Sequence, residues 1–147
     1  MPEKETLERA KEDKREGKAP STQAGEFVRE EIEHIREGKH GARSTKQAIA
    51  IGLSKARRAG VDLPPPEKGK ASTKTRKQAA RDIRKGKSGS KAKSTKRSRA
   101  SSEALKREGH SAASKKALSR QARSAAAKRS AKSRSRSAKK AAATRKK

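Results

Sequence analysis

A shortage of large apolar side chains sets the strongest limit on how this chain can fold. Only 14 of its 147 residues are Val, Ile, Leu, Met or Phe, and none of these lies after Leu118. Burial of such side chains supplies most of the free energy that offsets the entropy lost when a backbone is ordered. Because the supply is so small, the composition predicts that much of the chain is disordered on its own.

Charge divides the chain into two parts. Residues 1–63 hold 14 basic and 12 acidic side chains, whereas residues 64–147 hold 30 basic and 4 acidic ones. Three consecutive prolines, Pro64 to Pro66, form a stiff spacer that a helix cannot cross. We therefore predict a mostly α protein with four segments, which are a charged helix at 1–17, an αα-hairpin module at 18–63, a Pro-rich linker at 64–71 and a basic low-complexity tail at 72–147. The tail is expected to be largely disordered, with short nascent helices.

Apolar spacing predicts the first helix of the hairpin at residues 22–37. The apolar side chains that recur at helical spacing are Ala24, Val28, Ile32 and Ile35. The helix before it, at 3–16, is polar on nearly every face, so it is expected to be exposed to solvent.

The second helix of the hairpin is predicted from Ser44, which begins a capping box with Gln47, to Gly60 at its carboxyl end. Gly52 lies inside this helix, where glycine costs about 1 kcal/mol relative to alanine, so we expect the first helix to approach closely there. The resulting hairpin, about 22–63, is at the lower size limit for independent folding. We therefore expect a partner to stabilise it, and a homodimer through the hairpin is one candidate.

The density of positive charge predicts that this protein binds nucleic acid. The net charge is +28, and Lys and Arg in the tail are separated mainly by Ser and Ala. Each cation that meets a phosphate releases a condensed counterion, which drives binding without reading the base sequence. The predicted binding residues in the second helix of the hairpin and just before it are Arg43, Lys46, Lys55, Arg57 and Arg58. Those in the tail are Lys74, Arg76, Lys77, Arg81, Arg84, Lys85, Lys91, Lys93, Lys96, Arg97, Arg99, Lys115, Lys116, Arg120, Arg123, Lys128, Arg129, Lys132, Arg134, Arg136, Lys139 and Lys140.

The lack of aromatic residues favours duplex DNA as the partner. Phe27 is the only aromatic residue of the chain, and proteins that bind single strands or RNA through sheets need several aromatic side chains for base stacking. We predict non-sequence-specific binding to the DNA backbone, as in an architectural protein. The alternatives are an RNA- or ribosome-associated protein and a protein-interaction adaptor that acts through the hairpin. A helix-turn-helix that reads bases is disfavoured, because the loop is longer than the usual three to four residues.

Other classes of function lack the residues they need. The chain has no cysteine, and its three histidines form no His-x3-His pair, so we expect neither a metal site nor a cofactor. No catalytic constellation is present, which predicts that the protein is not an enzyme. The longest strongly apolar run, residues 48–53, is far too short to cross a bilayer. A cytoplasmic protein without a membrane partner is therefore expected.

Two stretches resemble a known family. The sequences EFVREEIEHIREGKHGAR (26–43) and STKQAIAIGLSKARRAG (44–60) resemble a small bacterial domain family of unknown function over residues 18–68. Members of that family resemble short basic proteins described as DNA-binding or histone-like. The tail is similar to the Lys/Ala/Ser-rich arms of linker-histone-type proteins. The resemblance implies a nucleoid-associated location in a bacterial cytoplasm.

Overall fold

Helices follow one another along nearly the whole chain. The computed structural model describes residues 2–89 and 93–146, and in these residues the backbone forms seven α-helices. Their bounds are α1 Lys4–Arg15, α2 Pro20–Arg36, α3 Thr45–Arg58, α4 Thr73–Lys87, α5 Thr95–Lys106, α6 Lys115–Ala127 and α7 Ala131–Arg145. A 3₁₀ turn at Ser111–Ala113 precedes α6.

The predicted hairpin is confirmed as α2 and α3. The Ser44 hydroxyl accepts a hydrogen bond from the Gln47 amide at 3.2 Å, and the Gln47 side-chain oxygen accepts one from the Arg43 amide at 2.7 Å. A Cβ atom at Gly52 would lie 2.6 Å from Val28 Cα. The close approach expected at this glycine is therefore present, and it brings the two helices together.

The expectation that the first helix is solvent-exposed is wrong. Thr6, Ala10 and Asp13 of α1 are buried, and their spacing of four and three residues places them on one face. Ala10 joins a core cluster with Phe27 of α2 and Ala56 of α3. This face, with Leu7 packed beside it, is enough to dock α1 on α2, although it gives little apolar signal in the sequence.

The expectation of a largely disordered tail is also wrong, since α4, α5, α6 and α7 all lie in it. Helix α4 packs on α3 through Ala79, Asp82 and Gly86, and a Cβ atom at Gly86 would overlap the carbonyl oxygen of Arg57. Small residues allow this packing at close range without large apolar side chains. Counting large side chains therefore underestimates how much of the tail can be ordered.

Hydrogen bonds also dock the region before α6 onto the hairpin. The Gly41 amide donates to the Leu105 carbonyl at 2.9 Å, and the Ala42 amide donates to the Gly109 carbonyl at 3.0 Å. The buried Thr45 hydroxyl donates to the Ala112 carbonyl at 2.7 Å.

Apolar contacts complete this docking. Ala112 and Ala113 are buried against Ile32 and Ile35 of α2, and Leu118 of α6 packs against the same cluster. The chain thus covers one apolar side of the hairpin itself. A homodimer through the hairpin stays a prediction.

Serine caps begin the tail helices. The hydroxyl oxygen of each capping serine accepts a hydrogen bond from the backbone amide three residues later, which satisfies one of the free amides at a helix start. The capping residues of α4, α5, α6 and α7 are Ser72, Ser94, Ser114 and Ser130.

Candidate nucleic-acid interface

Helix α4 separates its packing residues from its cations. Its buried side faces α3, whereas the exposed side carries five basic residues, which are Lys74, Lys77, Arg81, Arg84 and Lys85. At 3.6 residues per turn these five positions fall within an arc of about 100°. The single acidic residue of α4, Asp82, is 1% exposed and lies on the packed side. The outer face of α4 is therefore a line of cations with no carboxylate among them.

Helix α6 repeats this arrangement on a smaller scale. Leu118 turns toward the core, and the exposed basic residues Lys116, Arg120 and Arg123 fall roughly opposite it. No acidic residue follows Glu108 in the sequence, so α6 carries only positive charge. Packing against the hairpin thus orients a second basic face.

Helix α7 is exposed along its length and carries further cations. Lys132, Arg136, Lys139 and Lys140 fall within an arc of about 100°, and all four are exposed. Arg134 lies on the other side. Arg129, just before α7, donates to the Ser133 carbonyl at 3.2 Å, an interaction that leaves its positive charge unpaired by any carboxylate in the described residues.

Two predicted binding residues in α3 instead hold buried carboxylates. Lys55 Nζ forms ion pairs with Glu31 and, at 3.5 Å, with Glu30, whose carboxylates are almost fully buried. Arg58 Nε donates to Asp82 Oδ1 at 2.8 Å. Lys55 is thereby held between α2 and α3, whereas Arg58 bridges α3 to α4 and keeps 40% of its side chain exposed.

Two other predicted binding residues, Arg57 and Arg76, donate hydrogen bonds to backbone carbonyls in the polyproline spacer and just before it. Arg57, 8% exposed, donates to the carbonyls of Leu63 and Pro64, both at 3.2 Å. Burial lowers the pKa of Arg57, and the charge of Asp82 partly opposes this effect. Arg76 donates to the Pro66 carbonyl at 3.0 Å. These arginines tie the spacer to α3 and α4.

The remaining predicted binding residues lie on the surface, except Lys91, which is outside the described residues. Arg43 and Lys46 are exposed at the start of α3, and Arg43 lies 3.9 Å from a carboxylate oxygen of Glu108. The other exposed ones are Lys93, Lys96, Arg97, Arg99, Lys115 and Lys128.

The one aromatic side chain is not available to bases. Phe27 is 1% exposed and lies in the core between α1, α2 and α3. A surface without accessible aromatic side chains has no platform for base stacking. Contacts from this surface would therefore reach phosphates rather than base faces.

Glu31, His34 and His40 form a cluster at the end of α2 that the sequence does not predict. The turn after this helix brings His40 back to His34, so that the two rings are 6.0 Å apart, and both lie beside Glu31. A six-residue separation matches no common ligand spacing, and no local signal in the sequence would have paired these histidines.

Within the described residues no helix combines the length and the apolar character needed to cross a bilayer.

Comparison with known proteins identifies a similar family for one part of the chain. Residues 14–68 match DUF6496, a family of unknown function. This stretch contains the α2–α3 hairpin and the prolines after it, and it confirms the predicted resemblance to a family of unknown function. No curated protein and no solved structure matches the chain.

Proposed function

We propose that this protein binds duplex DNA without sequence specificity, as an architectural, nucleoid-associated protein, through contacts to the phosphate backbone. The observation that carries the proposal is the outer face of α4, where Lys74, Lys77, Arg81, Arg84 and Lys85 lie together while Asp82 points inward. A solvated charged helix would not need to separate its charges in this way.

Counterion release supplies the driving force. Each phosphate neutralised on B-DNA contributes about −0.9 to the slope of log K against log salt concentration. The α4 face alone would give a slope of about −4.5, and the faces of α6 and α7 would bring it to about −11. Because α4 and α6 are already packed, their cations are oriented before DNA arrives, and little backbone ordering is needed on binding.

A binding titration against salt tests the proposal. Full-length protein is titrated into duplex DNA and into duplex RNA of the same sequence, between about 50 and 200 mM salt. The test variant carries Lys74→Ala, Arg81→Ala and Lys85→Ala. A matched control removes the same charge from exposed positions of α1, with Lys4→Ala, Lys11→Ala and Lys14→Ala.

The two variants show whether DNA binding depends on the α4 face or only on the net charge of the protein. The α4 variant is expected to reduce the magnitude of the slope by about 2.7, with a smaller change in the control. Equal slopes for the two variants would show that the α4 face is not the binding surface. A clear preference for duplex RNA would instead support the RNA- or ribosome-associated alternative, and the absence of salt-dependent binding to either duplex would favour an adaptor role for the hairpin.

A further inference from the structure

Two imidazoles and a buried carboxylate meet where the loop after α2 turns back. Glu31 and His34 lie one turn apart on α2, and the loop returns His40 to them. One ligand atom from each of the three lies within 4.8 Å of the other two. The imidazoles are partly accessible, with 13% and 15% of the side chains of His34 and His40 exposed. The cluster can therefore be reached from solvent.

The contacts of His40 leave two acceptor atoms facing each other. His40 Nδ1 is 3.0 Å from the Gly41 carbonyl oxygen, which can only accept, so this nitrogen carries the proton. In the neutral ring the other nitrogen, Nε2, then presents a lone pair. It lies 3.3 Å from Glu31 Oε2, a buried oxygen without a hydrogen-bond donor in the described residues. A cation between these two atoms, either a proton on Nε2 or a metal ion, would satisfy both.

The geometry points to a metal ion as that cation, and we propose that Glu31, His34 and His40 form a site for Zn²⁺. Two imidazoles and one carboxylate are a common zinc ligand set, with bonds of about 2.0–2.2 Å. In a tetrahedral site such bonds separate neighbouring ligand atoms by about 3.3 Å. The observed distance between His40 Nε2 and Glu31 Oε2 has this value.

The charges around the cluster accommodate a divalent ion. Glu3, Glu30, Glu31 and Glu37 are countered by Lys39 and Lys55, which leaves two net negative charges when the histidines are neutral. Glu3 Oε1 is also 3.0 Å from His34 Nε2, so an ion bound at that nitrogen would replace this hydrogen bond. The Glu3 carboxylate is half exposed and can serve as a fourth ligand.

The role of this site would be structural. It joins the end of α2 to the loop that contains Gly41, and the Gly41 amide bonds the Leu105 carbonyl of the docked tail. The proposal is independent of DNA binding, because none of the three ligands belongs to the basic faces of α4, α6 or α7.

Titration of metal-free, full-length protein with Zn²⁺ in a calorimeter tests the site. We expect one ion per chain, and we expect Co²⁺ in its place to give the visible absorption of a tetrahedral site. His34→Ala and His40→Ala should each weaken Zn²⁺ binding by at least about tenfold. His110→Ala is the matched control, since His110 is exposed and lies outside the cluster.

Thermal unfolding gives a second readout that does not depend on the variants' binding isotherms. Zn²⁺ should raise the Tm of the original chain and of His110→Ala, but not that of His40→Ala. The proposal would be overturned if the original chain bound no stoichiometric Zn²⁺. It would also be overturned if His110→Ala weakened binding as much as His40→Ala, because the ion would then be held by scattered surface histidines.

Discussion

The Asp82 carboxylate of α4 accepts a hydrogen bond from Arg58 Nε of α3 at 2.8 Å. The same carboxylate accepts hydrogen bonds from the Ser54 hydroxyl at 2.8 Å and from Nε2 of the Gln78 side chain at 3.1 Å. These bonds fix the rotation of α4 about its own axis. Because Asp82 points inward, the arc that holds the five basic residues, centred about 110° away from Asp82 around the helix, points outward. One acidic residue thus both docks α4 and orients its cationic face.

Replacement of Asp82 should detach α4. Asp82→Ala removes three hydrogen bonds and leaves Arg58 without its partner, although Arg58 is 40% exposed and solvent relieves part of the cost. We expect the free energy of unfolding to fall by about 1–3 kcal/mol, measured by urea denaturation. Glu103→Ala on the exposed surface of α5 is the control and should change it by less than about 0.5 kcal/mol. Equal effects would mean that α4 is not held by this carboxylate.

Lys55 should matter for stability rather than for DNA binding. Its ammonium group is the cation that pairs with the buried carboxylates of Glu30 and Glu31. Lys55→Met leaves these charges uncompensated, so the free energy of unfolding should fall by about 3–5 kcal/mol. Lys46→Met, at an exposed position of the same helix, should leave stability nearly unchanged. A stable Lys55→Met variant that bound DNA more weakly than Lys46→Met would contradict this assignment.

The hairpin could be predicted because its signals are local. Branched and aromatic side chains recur at helical spacing in α2, Ser44 begins α3, and glycines with φ of +76° and +95° follow the two helices at Gly38 and Gly60. Each signal lies within a few residues of the structure that it determines. The family match over residues 14–68 covers the same part of the chain.

The docking of the tail could not be predicted in the same way. Its contacts depend on alanine and glycine, whose sequence pattern does not distinguish a packed face from a solvated one, and on backbone carbonyls such as that of Ala112. The partner of Arg58 lies 24 residues away, so charge alone could not show which cations turn inward. The pairing of His34 with His40 could not be predicted either, because only the turn after α2 brings the two side chains together.

Gly52 should be the less replaceable of the two glycines within helices α2 and α3. A methyl group there would meet the Val28 backbone at 2.6 Å, so Gly52→Ala should lower the free energy of unfolding by about 1–3 kcal/mol despite the higher helix propensity of alanine. Gly25→Ala in α2 is a sharp control, because nothing lies within 4 Å of a Cβ atom at that position. It should raise stability by about 0.5–1 kcal/mol. Stabilisation by both substitutions, in thermal or urea unfolding, would rule out the close packing of α2 on α3.

Lys18 should stabilise the end of α1 throughout the neutral range. Hydrogen bonds from its ammonium group raise its pKa above the ordinary 10.5, and the bond to Asp13 contributes more than the bond to Glu16. A raised pKa gives a contribution that is fully present below 10.5 and is lost as the pH rises through the higher folded-state value. The difference in urea midpoint between the original chain and Lys18→Met should therefore stay constant from pH 7 to about pH 10. Lys11→Met, at an exposed position of α1, controls for loss of charge, and a difference that shrinks between pH 7 and pH 9 for Lys18→Met alone would contradict the expectation.

The docking of the tail rests on the absence of a side chain at Gly41. A Cβ atom there would overlap the Glu108 carbonyl oxygen, so Gly41→Ala should push residues 105–113 away from the hairpin. Overpacking of this kind costs about 1–3 kcal/mol, which lowers amide protection by roughly 5- to 150-fold. Hydrogen exchange should therefore accelerate at the Ala42 amide, which bonds the Gly109 carbonyl, and in peptides from 105–118. The amides in the middle of α2 should keep their protection.

Gly109→Ala provides the matched control for this experiment, because it lies in the same contact but has nothing within 4 Å of a Cβ atom. It should leave exchange in 105–118 close to that of the original chain. If Gly41→Ala left the protection of the Ala42 amide and of 105–118 unchanged, the tail would not be held at this loop. If both variants accelerated exchange equally, the loss would reflect a general sensitivity of the segment to substitution rather than the contact between Gly41 and Glu108.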